Sequence, residues 1–326
     1  MKAIVCDRPG GEEVMRIADV PVPPLGEEEI RIRVYATSVN RADLLQRQGL
    51  YPPPPGVTEI LGLECAGEIV ELGPRAGHWQ LGQRVMALLP GGGYAEEAVV
   101  HHGSVLPMPD SFTWEEGGAF PEVFLTAFLN LFLLGRIARG ATALVHGGGS
   151  GVGTAATTLL KQAGVRVVVT AGSEEKCQRC LAHGADVAVN YRTEDFVTRV
   201  GDVTQGAGVE VVLDHVGARY LAGNLDCLRN DGRLVVIGLL GGAKAEINLA
   251  LMLVKRLHLI GSTLRSRSPQ DKAGIVRDFL ERFGDDLRQG LLRPVIDRVL
   301  PLEQVAEAHR IVAASKHFGK VALRVR

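Results

Sequence analysis

The sequence predicts an α/β architecture in two parts: a mostly antiparallel β unit, then a parallel sheet with helices on both faces. Three observations lead there. The chain has 326 residues, about twice the usual size of one domain. Its first hundred or so residues carry a strand-and-turn texture. From Thr126 onward, apolar strands alternate with amphipathic helices.

In the first part, strands are expected at 3–6, 29–39, 65–71, 83–88 and 94–99. They are separated by Gly and Pro punctuation such as Pro9-Gly10-Gly11, Pro23-Pro24, Pro52 to Pro55 and Gly91-Gly92-Gly93. One short helix opens at Asn40-Arg41-Ala42-Asp43 and runs to Gln48. In the second part, a strand at 142–146 leads through a glycine-rich turn into a helix ending near 163. A strand at 165–170 leads into a helix at 174–183, and strands at 187–190, 209–214 and 234–238 continue the rhythm. Uninterrupted Val and Leu runs in these strands imply burial on both faces, as in a parallel sheet. The last sixty or so residues alternate again and end in a strand at 320–325, with no internal repeat or low-complexity tract.

Composition limits the function classes. A hydrophobic fraction of 46% with 22% charged residues is that of a globular protein. The 36 basic and 37 acidic residues give a net charge of −1, so nothing favours nucleic acid or an anionic membrane as the main partner. The opening residues read as a strand rather than a signal segment. The most apolar stretch, 123–134, is too short to span a bilayer. Five scattered cysteines do not form a disulfide framework, and a cytoplasmic location is expected. Cys177-Gln178-Arg179-Cys180 reads as two half-buried helix residues rather than a redox pair, and His101-His102 as a solvated loop rather than a metal site.

The most informative segment is Val145-His146-Gly147-Gly148-Gly149-Ser150-Gly151-Val152-Gly153. Between a strand and a helix, such glycines let backbone approach a pyrophosphate at the positive helix end. Aligned on Gly148 and Gly153, Ser150 takes the place of the middle glycine. Where an NAD site carries Asp or Glu for the ribose, this chain has Ala171-Gly172-Ser173. The neutral turn leaves room for a 2′-phosphate, with Ser173, Lys176 and Tyr191 placed to meet it, so NADPH is the expected cofactor. Ser173 is also expected to cap the helix that Glu174 begins.

Taken with Gln46 to Tyr51, Leu61-Gly62-Leu63-Glu64, Leu88 to Gly93, Ser150 to Ala156, Thr170 to Ser173 and Leu264-Arg265-Ser266-Arg267, the whole chain resembles the medium-chain dehydrogenase/reductase superfamily. The likeness is to its zeta-crystallin-like quinone oxidoreductase branch, within it to the tumour-suppressor-inducible quinone oxidoreductases. The resemblance implies a GroES-like catalytic domain over 1–122, completed by 264–326, a Rossmann NADPH-binding domain over 123–263, and a cleft between them. It implies a homodimer joined through cofactor-domain edges near 258–262, with a tetramer as the other assembly. By position, Asn40 and Tyr51 match residues lining the nicotinamide and substrate pocket. Thr126, Ser150, Gly151, Val152, Ser173, Lys176, Tyr191, Gly238, Leu264 and Lys320 match positions that meet NADPH.

Zinc-dependent members use a Cys and a His-Glu pair where this chain has Asn40, Leu63 and Glu64. Leu cannot ligate and an amide is a poor zinc ligand, so no metal is expected. The function this implies is hydride transfer from NADPH to a quinone, with Tyr51 or Asn40 donating to the oxygen that gains charge. Reduction of an enone, enal or enoyl thioester is the alternative, with Tyr51 as proton donor. A non-catalytic NADPH- or RNA-binding, crystallin-like protein is the reading outside enzymes. The other reading of Tyr51 is a packing residue on the Pro52 to Pro55 rim.

Overall fold

The computed structural model describes residues 1–326. Along the chain, β1 (Lys2–Cys6) pairs antiparallel with β2 (Met15–Asp19). There follow β3 (Glu29–Ser38), α1 (Arg41–Arg47), β4 (Glu64–Leu72), β5 (Arg84–Leu88), β6 (Glu97–His101), β7 (Val105–Pro107), α2 (Trp114–Gly117) and α3 (Pro121–Phe128). The parallel part runs β8 (Thr142–Val145), α4 (Gly151–Gln162), β9 (Arg166–Ala171), α5 (Glu174–Ala182), β10 (Val187–Asn190), α6 (Phe196–Thr204), β11 (Val209–Asp214), α7 (Leu221–Cys227), β12 (Leu228–Val236), α8 (Leu249–Lys255) and β13 (His258–Gly261). The chain closes with α9 (Pro269–Arg288), β14 (Ile296–Pro301), α10 (Val305–Ala313) and β15 (Lys320–Arg324).

Two compact units result: Met1–Leu125 with Leu264–Arg326, and Thr126–Thr263. In the first, the sheet runs β14-β15-β3-β4-β5-β7 with β6 also on β3, and only β14–β15 is parallel. Strand β3 shows why: Ile30, Ile32, Val34 and Ala36 are buried while the residues between them are polar or partly exposed, the period of a half-buried strand. The second unit is a six-stranded parallel sheet in the order β10-β9-β8-β11-β12-β13. Its central strands are buried on both faces, with Val167, Val168, Val169, Val211, Val212 and Leu213 all at or below 2% exposure. The strand order reverses between β8 and β11. Ligands of open parallel sheets bind in the crevice outside the strand ends at such a point, and the glycine turn follows β8.

Several elements depart from the sequence-based expectations. The strand expected at 94–99 is β6, starting at Glu97, because Tyr94 and Ala95 bond instead to Ile4 and Ala3. Strand β12 begins at Leu228 rather than 234, carrying a polar bend with Asp231 at positive φ into the ladder. That polar bend reads as a turn in sequence. Gly238 accordingly lies beyond the strand. Strands β2 and β7 were not anticipated, being short and without clean alternation. The run Trp114–Leu134, 21 residues rather than the twelve read in sequence, is long and apolar enough to cross a membrane, but 78% of its most apolar window is buried inside the protein. That is how a core helix reads. His101 and His102 are half-buried at the end of β6, with stacked rings, rather than solvated.

Candidate active site

In the parallel unit, Ser150 caps α4: its Oγ accepts the Gly153 N–H at 3.0 Å. The first-turn amides of Gly151 and Val152 have no intrahelical acceptor, and the Ser150 hydroxyl hydrogen remains free to donate. Such a helix start is an anion site. Gly153 admits no side chain, because a Cβ there would lie 2.3 Å from the Gly147 carbonyl oxygen. Beneath the turn, His146 is 1% exposed and bridges Thr170 Oγ1 (3.0 Å) and Asn224 Oδ1 (2.7 Å). Since Asn224 Nδ2 donates to Asp214 Oδ2 at 3.1 Å, its Oδ1 must accept from His146 Nε2–H. His146 Nδ1 then accepts the Thr170 hydroxyl, whose oxygen takes the Gly147 N–H at 3.3 Å. Burial pulls the His146 pKa down to about 3, so the ring is neutral and the chain of bonds keeps one direction. Sequence reading passed over this support, although a lone His inside an apolar strand end was a usable signal.

At the end of β9 no carboxylate faces the turn. Ser173 caps α5 by accepting the Lys176 N–H at 3.2 Å, as its position in sequence indicated. Glu174 and Glu175 are exposed, and Glu174 accepts from Gln178 one helical turn on. Tyr191 lies over this turn, since a Cβ on Gly172 would meet its hydroxyl at 2.4 Å. Ser173 and the Tyr191 hydroxyl thus lie at one neutral turn, with Lys176 in the first turn of the helix that Ser173 caps. Gly238 backs on His215, and Thr126 is 9% exposed with its carbonyl accepting from Asn130 Nδ2. Cys177 and Cys180 are buried free thiols, with burial raising both pKa values and pushing Cys180 up to about 12. Neither is a ready nucleophile.

The other unit gathers its polar groups at the end of β3. Asn40 Nδ2 donates to Glu64 Oε1 (2.9 Å), and Lys320 Nζ pairs with the same oxygen (2.9 Å), with Asn40 Oδ1 (2.6 Å) and with the Val39 carbonyl (3.2 Å). Ser38 also donates to Glu64, and the Glu122 N–H reaches its second oxygen at 2.9 Å. Glu64 is 0% exposed and Lys320 3%. Lys320 is thus held inside the unit, with Glu64, Asn40 and the Val39 carbonyl all engaging its ammonium group. Leu264 is 6% exposed.

The same cluster does not fit zinc. Leu63 is buried and has no donor atom, an ammonium already engages Asn40 Oδ1 and Glu64, and no group of three His, Cys, Asp or Glu side chains is placed to hold an ion. Behind it, Asp43 accepts from the Asn40 and Gly62 amides and from Tyr94, and burial raises its pKa to about 6. Tyr94 continues to His309 and Arg47.

Tyr51 sits apart from Asn40's hydrogen bonds. Its ring lies under the Arg265 guanidinium, 5.4 Å from centroid to Cζ. Arg265 is 4% exposed and donates to Pro90 O (2.7 Å), Gln46 Oε1 (2.7 Å) and Tyr51 O (3.5 Å). Lys272 Nζ in turn holds the Arg265 carbonyl at 2.7 Å. The half-buried Tyr51 hydroxyl has no partner within the chain. Glu64, Glu122, Arg265 and Lys272 were not among the residues expected to act. A lone carboxylate inside each apolar run, Ile60 to Ala66 and Phe120 to Leu125, is the signal that would have found the first two.

Comparison with known proteins bears on both units. An alcohol dehydrogenase GroES-like domain matches residues 26–110, and a zinc-binding dehydrogenase domain matches residues 151–282. A quinone oxidoreductase of Mus musculus is 32% identical over 330 residues, covering 99% of this chain and 97% of its own. An Escherichia coli quinone oxidoreductase complexed with NADPH superposes with a TM-score of 0.87 at 27% identity, covering 100% of both chains. An NAD-dependent alcohol dehydrogenase superposes with a TM-score of 0.86 at 33% identity, again over 100% of both.

Proposed function

The chain belongs to the quinone oxidoreductase family of the medium-chain dehydrogenase/reductase superfamily, and from that premise we propose that it passes hydride from NADPH to a quinone without a metal. The observation that carries this reading is the Lys320–Glu64–Asn40 cluster. Where a metal ion serves as the Lewis acid that holds the developing alkoxide of an alcohol or ketone substrate, it needs a ligand set, and this cluster offers none. A quinone spreads the incoming charge over its ring and needs only hydrogen-bond donors at one oxygen.

Bound NADPH supplies the hydride. The Gly148 to Gly153 turn, with the Gly151 and Val152 amides and the Ser150 hydroxyl, would hold its pyrophosphate. Ser173, Lys176 and Tyr191 would hold the 2′-phosphate, and the absence of a carboxylate at the end of β9 supports NADPH over NADH. Thr126 and Gly238 complete the proposed cofactor positions. Tyr51 gives a proton or hydrogen bond to the acceptor oxygen, and Asn40, locked by Glu64 and Lys320, keeps one amide hydrogen for orientation.

Two features favour a quinone over an enoyl thioester of CoA. Arg265, the nearest candidate for a CoA phosphate, is buried and committed to Pro90, Gln46 and the Tyr51 ring. Its neighbour Arg267 stands without a second basic cluster in sequence. Tyr51→Phe is expected to lower quinone turnover on the order of 10²-fold with the NADPH KM little changed. An unchanged rate would make Tyr51 a packing residue on the Pro52 to Pro55 rim.

The same reading includes a homodimer. Strand β13 is an unpaired sheet edge, and Leu249, Leu253 and Val254 of α8 are 69%, 77% and 68% exposed beside it. Open edges with apolar neighbours are normally covered. A sedimentation mass of a single chain at micromolar concentration would rule the dimer out.

A further inference from the structure

We propose that Arg265 acts on the reaction through Tyr51: its guanidinium, fixed against the Tyr51 ring with no carboxylate paired to it, holds the tyrosinate left when Tyr51 gives up its proton. The inference rests on the quinone-reductase reading, with Tyr51 as donor, and assigns a residue that reading does not supply.

Arg265 is 4% exposed, and a guanidinium so deeply buried is normally paired with an anion. This one is not. Its Nε donates to the Pro90 carbonyl and its Nη2 to Gln46 Oε1, both at 2.7 Å and both neutral oxygens. Nη1 reaches the Tyr51 carbonyl at 3.5 Å, and the guanidinium carbon lies 5.4 Å from the centre of the Tyr51 ring. Lys272, 5% exposed, gives its Nζ to the Arg265 carbonyl at 2.7 Å, again a neutral oxygen. The end of α1, the turn after β5 and the first turn of α9 thus fix the arginine in place. Of the groups that touch it, only Tyr51 can become an anion.

The chemistry needs such a charge. Reduction of a quinone by hydride leaves a hydroquinone anion that must take one proton. A hydroquinone oxygen and a tyrosine oxygen are both phenolic, so the proton passes between groups of similar acidity. Burial makes the Tyr51 tyrosinate harder to form; the Arg265 charge opposes this, and Glu122 acts with it. Asp43, Glu122 and Lys272 are the other ionisable groups that bear on the pair, and none forms an ion pair with Arg265. Arginine keeps its proton in proteins, so the charge beside the ring does not switch off as pH rises.

The step balances. The Tyr51 O–H bond breaks as the hydroquinone O–H bond forms, and no electrons move beyond the hydride already transferred. The tyrosinate stands beside Arg265 until it takes a proton from water.

The test reads the Tyr51 phenol itself, by NMR titration of the cofactor-free protein carrying tyrosine labelled with ¹³C at Cζ. The chain has five tyrosines, and the Tyr51 resonance is the one missing from Tyr51→Phe. In Arg265→Gln its titration midpoint is expected to rise by about one pH unit. Arg265→Lys, which keeps a charge, should keep most of the wild-type midpoint, and Arg265→Met repeats the measurement if the Gln variant does not fold. Quinone kcat should fall on the order of tenfold in Arg265→Gln, with the KM for NADPH little changed. That loss should disappear in the Tyr51→Phe background, whereas loss of packing alone would lower both backgrounds equally. An unmoved Tyr51 midpoint in the charge-free variants, or an equal kcat loss with and without the Tyr51 hydroxyl, overturns the proposal while leaving the quinone-reductase reading in place. Wild-type quinone turnover in Tyr51→Phe removes the donor reading, and the role given to Arg265 with it.

Discussion

Gly153→Ala is expected to weaken NADPH binding on the order of 10²-fold, the scale of a 1 Å displacement at a site of this kind. Helix propensity acts the other way, since Ala in place of Gly inside a helix is favourable by about 1 kcal/mol. The contacts decide the sign. A Cβ on Gly153 would stand 2.3 Å from the Gly147 oxygen and 2.8 Å from the Gly148 Cα, both of them backbone. Backbone cannot swing aside as a flexible side chain does, so the turn must move away from the start of α4. Gly201 is the matched control: it lies in α6 with nothing within 4 Å of its Cβ position. Gly201→Ala should keep wild-type affinity and match or exceed wild-type stability. Titration of protein fluorescence with NADPH reads both variants, and wild-type affinity in Gly153→Ala would take the cofactor away from this turn.

The second large effect concerns stability. Lys320→Met should lower unfolding free energy by about 3–5 kcal/mol, the cost of breaking a buried ion pair by removing one partner. Methionine fills much of the lysine volume, so the loss arises from charge rather than from a cavity. Glu64 would keep a negative charge at 0% exposure, with Asn40, Ser38 and the Glu122 amide as its remaining donors. Adding Glu64→Gln to Lys320→Met should restore a large part of the loss, because the uncompensated charge is then gone. Denaturant unfolding of the three variants measures this. A Lys320→Met midpoint equal to wild type would mean that Lys320 is not the partner of Glu64 in solution.

Local signals in the sequence carried far, and long-range pairings did not. The glycine turn, the Ser173 cap and the helix start at Asn40 are written within a few neighbouring residues, and each is where sequence placed it. The partner of Asn40 lies 280 residues away. It arrives because β15 pairs with β3, Ala322 opposite Ser38, which sets Lys320 beside Val39 and Asn40. Alternation tells which face of a strand is buried but not which strand lies next to it. For that reason the bonds of Lys320 to Glu64, Asn40 and Val39 could not be read from the sequence. Glu64 itself was noticed only for what its neighbour Leu63 cannot ligate. Arg265 and Tyr51 were both singled out, yet not as a stacked pair, since 214 residues separate them. Glu122 gave a single charged letter in an apolar run, and nothing near it in sequence says that its backbone N–H binds Glu64.

The most direct test is to follow dihydronicotinamide absorbance when protein dialysed against a chelator is mixed with NADPH or NADH and a benzoquinone or naphthoquinone. Rapid oxidation of NADPH, slow oxidation of NADH and no gain on adding zinc are the expected results. Activity that returns only with zinc, a preference for NADH, or turnover with enones or enoyl thioesters but no quinone would contradict metal-free hydride transfer from NADPH to a quinone.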